Sequence, residues 1–178
     1  PTVTLWGANI DEAGLGRIYE KTQGWPAGLI LMLDQAAATG TTAALPVASA
    51  PQLIFDYLAG EVFQKFDDAT RQLLLMTAFL TQVTESMAVE LSGDPAAGDI
   101  LSRLHRGNYY VSMKSGSTGP VYAYHPLLHE FLVTRARETL PGSKGQELRR
   151  QSASLMEADG MVDDAVNLLN QDQDWMES

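Results

Sequence analysis

The 178-residue sequence contains no cysteine, which excludes disulfide bonds and thiolate-bound metal sites. This absence is compatible with a reducing compartment, and we expect the protein to be cytoplasmic. No apolar run approaches the length needed to cross a bilayer, so we expect no membrane contact. The phosphate-binding pattern G-x-x-x-x-G-K-[ST] is also missing, and no hydrophobic run ends in paired acids that could hold Mg²⁺. The chain alone is therefore not expected to be an enzyme.

Basic residues are scarce, with 12 Lys and Arg against 22 Asp and Glu, for a net charge of −10. This balance disfavours free binding to nucleic acid or to an anionic membrane. Residues 101–140 reverse it, because they carry two acids beside five bases: Arg103, Arg106, Lys114, Arg135 and Arg137. A local excess of bases is typical of an anion-facing surface, and a solvated face without a partner explains it about as well.

There are 3 histidines, and His125 occupies the most informative position. It follows a strand-like segment and precedes Pro126, which suits the first position of a helix because its missing N–H costs nothing there. The helix itself is indicated by apolar residues at helical spacing: Leu127, Leu128, Phe131 and Leu132. Unpaired N–H groups at a helix start attract anions. His125 is therefore a candidate phosphate contact, with a purely local hydrogen bond as the alternative.

The other reactive residue types give little support for catalysis or metal binding. His125 and His129 are four residues apart, but no acid between them occupies the position that a zinc protease requires, so we expect no metal. We expect His129 to face solvent and His105, with Arg106, to end a helix. No base lies at a plausible spacing from the serines of the hairpin, so no catalytic residue is predicted: Ser112, Ser115 and Ser117.

Periodicity and capping residues predict a mainly α protein with one small β-hairpin. Asp67-Asp68 and Asp163-Asp164 are interpreted as helix starts, where acids complement the helix dipole, and not as catalytic carboxylate pairs. The predicted helices cover 51–66, 67–79, 84–93, 94–107, 126–140, 147–159 and 163–170, after a first helix from Asn9 or Asp11 to 23 and a second over 29–38. The hairpin is predicted from strand formers at 109–113 and 121–124 around a turn at 115–119. Helices followed by a hairpin and a further helix are the order of a winged-helix domain, placed at 51–140.

Gly24-Trp25-Pro26 separates the first two predicted helices. Glycine permits a tight bend and proline fixes φ, so Trp25 and Pro26 present a rigid apolar surface. That surface could pack against a planar ring such as adenine or against a neighbouring helix.

Five separated segments together resemble the central part of MalT-like, LuxR-family ATP-dependent transcriptional regulators, which belong to the signal-transduction ATPases with numerous domains. In chain order they are GWPAGLILML, LIFDYLAGEVFQKFDDATRQLLLMTAFL, LHRGNYYV, YAYHPLLHEFL and SLMEADGMVDDAVNLL. The resemblance implies that 1–40 end the helical lid of an ATPase, 41–50 form a linker, 51–140 form a winged helix, and 143–178 begin a helical-repeat, TPR-like sensor domain. Because the chain opens with Pro1 and stops within an apparent element, it reads as a piece of a longer protein.

The same resemblance implies roles for individual residues. Gly24-Trp25-Pro26 matches the family motif whose proline packs on adenine, which implies that Pro26, with Trp25 beside it, contacts the base. Tyr124-His125-Pro126 matches the motif whose histidine contacts the β-phosphate of ADP and holds the closed state, which implies that role for His125. Many relatives carry aspartate where this chain has Pro126, so any function of that acid is not carried over.

The expected function is nucleotide-state sensing within a longer regulator. ADP or ATP would be bound by that parent and not by the fragment alone. The implied partners are the upstream ATPase domain and the downstream sensor repeats of the same chain, with self-association on activation and DNA contact through a separate domain. Two alternatives remain, a DNA-binding winged-helix fragment and a protein-interaction scaffold in which nucleotide plays no part.

Overall fold

The computed structural model describes residues 3–5, 8–10, 16, 55–107, 110–140 and 142–173. They fall into two compact units, residues 1–65 and residues 66–178, which are described separately. The predicted fold class is confirmed, since the described residues are mostly helical with a small antiparallel sheet in the second unit. The predicted helices at 11–23 and 29–38, the linker, and both Trp25 and Pro26 lie outside the described residues, apart from residue 16, which is helical.

The first unit contains an antiparallel hairpin that the sequence analysis missed. Strand β1 (Val3–Leu5) pairs with strand β2 (Ala8–Ile10), and Asn9 lies opposite Thr4. The prediction that Asn9 could cap a first helix is therefore wrong. Val3, Thr4 and Ile10 are β-branched and favour extended backbone, which outweighs the capping tendency of one asparagine.

The predicted helix at 51–66 is helical throughout most of its described part but is not a regular α-helix. After three helical residues at 55–57, a π-helical turn covers Leu58–Val62 and a 3-10 turn covers Phe63–Lys65. Glycine is a poor helix former, and Gly60 lies within the π-helical turn. The apolar spacing nevertheless identified side chains that are buried: Leu58 and Val62.

The second unit opens with three helices, and local signals set where the first two begin. Helix α1 (Asp68–Met76) begins after Asp67, whose carboxylate accepts a hydrogen bond from Thr70 N at 2.8 Å, and that bond lowers the pKa of Asp67. Helix α2 (Glu85–Ser92) is capped by Thr84, which accepts from Met87 N at 3.3 Å, and it ends at left-handed Gly93. Helix α3 spans Ala97–Arg106.

A three-stranded antiparallel sheet follows, in the order β3-β5-β4. Strands β4 (Val111–Gly116) and β5 (Gly119–Tyr124) form the predicted hairpin, with a tighter turn than expected. Strand β3 (Val83–Thr84) pairs with β5 and was not predicted, because two residues are too few to show a strand pattern.

Three further helices complete the second unit: α4 (Pro126–Thr139), α5 (Ser143–Ala158) and α6 (Val162–Gln173). The order of three helices, a hairpin and a helix is that of a winged-helix domain, and α5 and α6 pack on each other as a helical pair. The core side chains are almost all apolar, and the largest fully buried ones of this unit include Leu73, Leu74, Leu101, Phe131, Leu132 and Met156.

Candidate functional site

His125 lies at the junction between strand β5 and helix α4, as the sequence pattern indicated. Its backbone N–H donates to Tyr110 O at 2.8 Å, and its carbonyl accepts from His129 N at 2.9 Å. Its side chain caps the helix, since Nδ1 accepts from Leu127 N at 3.3 Å, with Pro126 at the first helical position. The half-buried ring is thus fixed to the start of α4 by its neighbours on both sides.

The capping bond determines what the imidazole can offer. In a neutral ring only one nitrogen carries the proton, so a histidine that accepts at Nδ1 has its N–H at Nε2. That group is a hydrogen-bond donor beside the positive end of the α4 dipole. The chemistry suits an anion such as phosphate, and the local hydrogen bond that was weighed as an alternative is present too.

Tyr110, whose backbone conformation is unusual, binds His125 at this junction. Its φ is +61°, in the left-handed region that non-glycine residues rarely adopt, and its carbonyl is the acceptor for His125 N. Such a conformation is kept where surrounding contacts hold the residue in place, and it is frequent at ligand sites. This feature was not evident in the sequence, since Gly107 or Asn108 is the more obvious place for such a conformation.

Tyr124, the residue before His125, is anchored by a buried chain of hydroxyl groups. Tyr124 Oη lies 2.6 Å from Thr77 Oγ1, and Thr77 Oγ1 donates to Leu73 O at 2.8 Å. Because the Thr77 proton is used in that second bond, Tyr124 is the donor in the first. Burial raises the pKa of Tyr124 well above its usual value, so its hydroxyl remains protonated. The chain fixes the end of β5 and hence the start of α4.

His129 does not face solvent, so that prediction is wrong. The ring is partly buried, and its Nε2 atom makes no hydrogen bond with the described residues. Desolvation lowers the pKa of His129, while the backbone of Leu80 and Ala78 beside the ring opposes that shift. Helical spacing places His129 one turn after His125, and the burial arises from the 77–81 segment, which spacing within α4 could not reveal.

The remaining histidine has a local structural contact. His105 lies in the last turn of α3, as predicted, and its Nδ1 is 3.0 Å from Val111 O at the start of β4. Within the described ranges no three His, Asp or Glu side chains form a group that could hold a metal ion.

The five bases at 101–140 are distributed over several elements, and two of them, Arg103 and Arg135, lie near acids. Arg103 lies 3.5 Å from Asp67 and 3.3 Å from Thr70 Oγ1, and Arg135 lies 3.1 Å from Glu138. Arg106 bonds the carbonyl of Ser102, and Lys114 lies exposed on the wing. Arg103 therefore contacts the start of α1 and Arg106 contacts the backbone of its own helix, both from exposed positions.

The predicted adenine contacts, Trp25 and Pro26, lie outside the described residues, so their role stays a prediction. A shallow open groove of about 590 Å³ lies elsewhere, between the start of α2 and the hairpin turn, with Glu85, Ser86 and Pro120 in its lining. Across the described segments, no helix combines the length and apolar character that crossing a membrane requires.

Two comparisons with known proteins agree with this architecture. Residues 59–144 match the family model of the MalT winged helix domain. Over 148 residues the chain is 28% identical to the HTH-type transcriptional regulator MalT of Vibrio cholerae serotype O1, strain ATCC 39315 / El Tor Inaba N16961. The aligned part is 81% of this chain and 16% of that relative. The matched domain is a winged helix and not a catalytic domain. Residues 59–144 are therefore similar to the MalT winged helix domain, and most of the chain is similar to part of a MalT regulator.

Proposed function

We propose that this chain is the nucleotide-state-sensing part of an ATP-dependent transcriptional regulator and that His125 contacts the β-phosphate of ADP in the longer protein. The relative from Vibrio cholerae is described as a transcriptional regulator, and this chain corresponds to a small share of its length. The parent would be a cytoplasmic ATPase switch of the LuxR-like, signal-transduction class. DNA contact and self-association on activation would reside in segments outside this chain.

The observation that supports the proposal most directly is the geometry of His125. Its ring is anchored through Nδ1 at the first turn of α4, which leaves Nε2–H as the donor in the neutral form. Helix starts bind anions through their N–H groups and dipole, so the donor set fits a phosphate. A histidine also suits a sensor because it donates near neutral pH without a permanent charge.

The residues of this chain would hold nucleotide and would not cleave it. His125 would donate to the phosphate end, and the adenine contacts of Pro26 and Trp25 stay a prediction from the family resemblance. The phosphate loop and the metal-binding acids come from the upstream domain. In the longer protein, the winged helix would hold ADP against that upstream domain and would pass the nucleotide state to the downstream repeats.

Substitution of His125 in the parent protein tests the proposal. A hydrogen bond to a charged group contributes about 1.5–3 kcal/mol, so His125→Ala should weaken ADP retention by roughly tenfold to a hundredfold. Basal activity should rise, because the closed state loses its contact. Bound nucleotide is measured by chromatography after purification, and activity by a reporter gene.

Two control variants separate sensing from helix capping. His125→Asn keeps a good capping residue but is too short to place a donor where the imidazole Nε2 lies. It should therefore lose ADP as His125→Ala does, while keeping more of the stability. Thr139→Ala alters the exposed end of the same helix and should retain ADP normally. Full ADP retention and unchanged activity in His125→Asn would show that capping is the whole role of this residue.

A further inference from the structure

Residues 77–81, which we term the buried turn, connect α1 to strand β3. Thr77, Ala78 and Leu80 have 0% of their surface exposed and Phe79 has 3%. Turns normally lie at a protein surface because their backbone polar groups need partners. A turn that is enclosed to this degree indicates that several elements are packed against it, and the contacts identify them.

The first set of contacts joins the buried turn to the His125 junction. Thr77 Oγ1 accepts from the hydroxyl of Tyr124 at 2.6 Å, one residue before His125. On the next helical turn, the ring of His129 lies beside the backbone of Ala78 and Leu80. His129 N also donates to His125 O, so both contacts reach the first turns of α4.

The second set joins the same five residues to the helical pair α5–α6. The guanidinium of Arg149 in α5 stacks 5.6 Å from the ring centroid of Phe79. At the exposed end of the turn, Thr81 Oγ1 donates to Asp164 Oδ2 at 2.8 Å and lies 3.8 Å from Met161 Sδ. The loop between α5 and α6 and the first turn of α6 thus contact the turn that holds Tyr124.

We propose that the buried turn couples the His125 junction to helices α5 and α6, so that a change at one end alters the stability of the other. The turn contacts both sides within five residues, and its buried part cannot shift alone without breaking the hydroxyl chain or the packing around Phe79. Close-packed interiors transmit such displacements because they leave little room for local relaxation. The coupling is a property of this chain by itself. Its use to relay nucleotide state rests on the proposed function.

Hydrogen exchange on the 178-residue chain, without nucleotide, tests the coupling. Tyr124→Phe removes one hydroxyl and keeps the ring in the core. We expect amide exchange to accelerate by roughly threefold to tenfold in the buried turn and in residues 162–165, while α3 changes less. Ser112→Ala is the matched control, because Ser112 Oγ donates to Ala123 O at 3.2 Å from an exposed position in the same hairpin. It should leave residues 162–165 unchanged.

The reciprocal variant is Thr81→Val, at an exposed position where folding should be preserved. Since coupling free energies are mutual, it should accelerate exchange at the amides of residues 127–130 as well as in α6. In the double variant the acceleration in α6 should be smaller than the product of the two single effects.

The proposal is overturned if Thr81→Val affects α6 alone, if the single effects multiply, or if Tyr124→Phe changes α3 and α6 equally. If the exchange experiments show the expected coupling but His125→Asn retains ADP normally, the proposed nucleotide role is wrong and this inference still holds.

Discussion

At the scale of single residues, the structure assigns distinct roles to side chains of the same type. His125 caps a helix from a half-buried position, His129 is held against the buried turn, and His105 contacts the backbone at the start of β4. Their sequence neighbours gave correct expectations for the positions of two of the three. The prediction that His129 faces solvent was wrong because its burial depends on residues 77–81, about fifty positions earlier in the chain.

The lowered pKa of His129 predicts a pH dependence of stability. Its folded-state pKa lies below the value in the unfolded chain, so the unfolded state binds more protons and stability falls as the pH drops through about 6.5. His129→Gln removes this contribution. Between pH 7 and pH 5 the free energy of unfolding of the variant should decline less steeply than that of the wild type. Urea titrations at several pH values measure the slopes, and equal slopes would contradict the burial of His129.

Gly145 should not tolerate a side chain, although it lies in a helix. A Cβ atom there would overlap the carbonyl oxygen of Leu140, which belongs to the backbone and cannot move aside cheaply. Gly145→Ala should therefore destabilise the chain by about 1–3 kcal/mol, against the usual gain for alanine in a helix. Gly60→Ala is the control, because a Cβ atom at that position would have nothing within 4 Å of it. Denaturant unfolding that ranks both variants alike would show that the space around Gly145 is not limiting.

At the scale of elements, helix starts were predicted better than strands. Three helices begin where the sequence indicated: α1 after Asp67, α2 after Thr84, and α4 at Pro126 after His125. These starts could be predicted because capping is a local interaction between neighbouring residues. Strands β1 and β2 have three residues each and β3 has two, which is too short to show an alternating sequence pattern. A strand also depends on pairing with another segment, which its own residues do not reveal. The candidate site followed the same rule. The position of His125 was local information, whereas the bond of His125 to Tyr110 and the bond of Tyr124 to Thr77 join distant parts of the sequence.

The start of α2 offers a direct test of helix capping in this chain. Thr84→Ala removes the oxygen that accepts from Met87 N and should destabilise the second unit by about 1 kcal/mol. Thr84→Ser keeps that oxygen and should restore most of the loss. Thermal or chemical unfolding of the three proteins measures the difference. Equal stability of the alanine and serine variants would show that the cap contributes nothing.

At the scale of the whole molecule, charge and pairing argue against DNA as the partner of this winged helix. The chain carries a net charge of −10, and Arg103 on α3 is engaged with Asp67 and Thr70. A DNA-reading surface spreads Lys and Arg across the helix and wing to reach phosphates. The acidic balance of this chain and the contact of Arg103 with Asp67 do not fit that pattern.

We therefore expect no binding of the isolated chain to random duplex DNA in a gel-shift assay at moderate salt. The three substitutions Arg103→Ala, Arg106→Ala and Lys114→Ala should leave that result unchanged. Tight binding that these substitutions abolish would favour the DNA-binding alternative.

The most direct test of the nucleotide-sensing role is a structure of the longer protein with ADP bound. We expect His125 Nε2 to lie within about 2.7–3.2 Å of a β-phosphate oxygen, with Nδ1 still accepting from Leu127 N. A structure in which ADP is bound and His125 lies far from both phosphates would contradict the proposed nucleotide-sensing role.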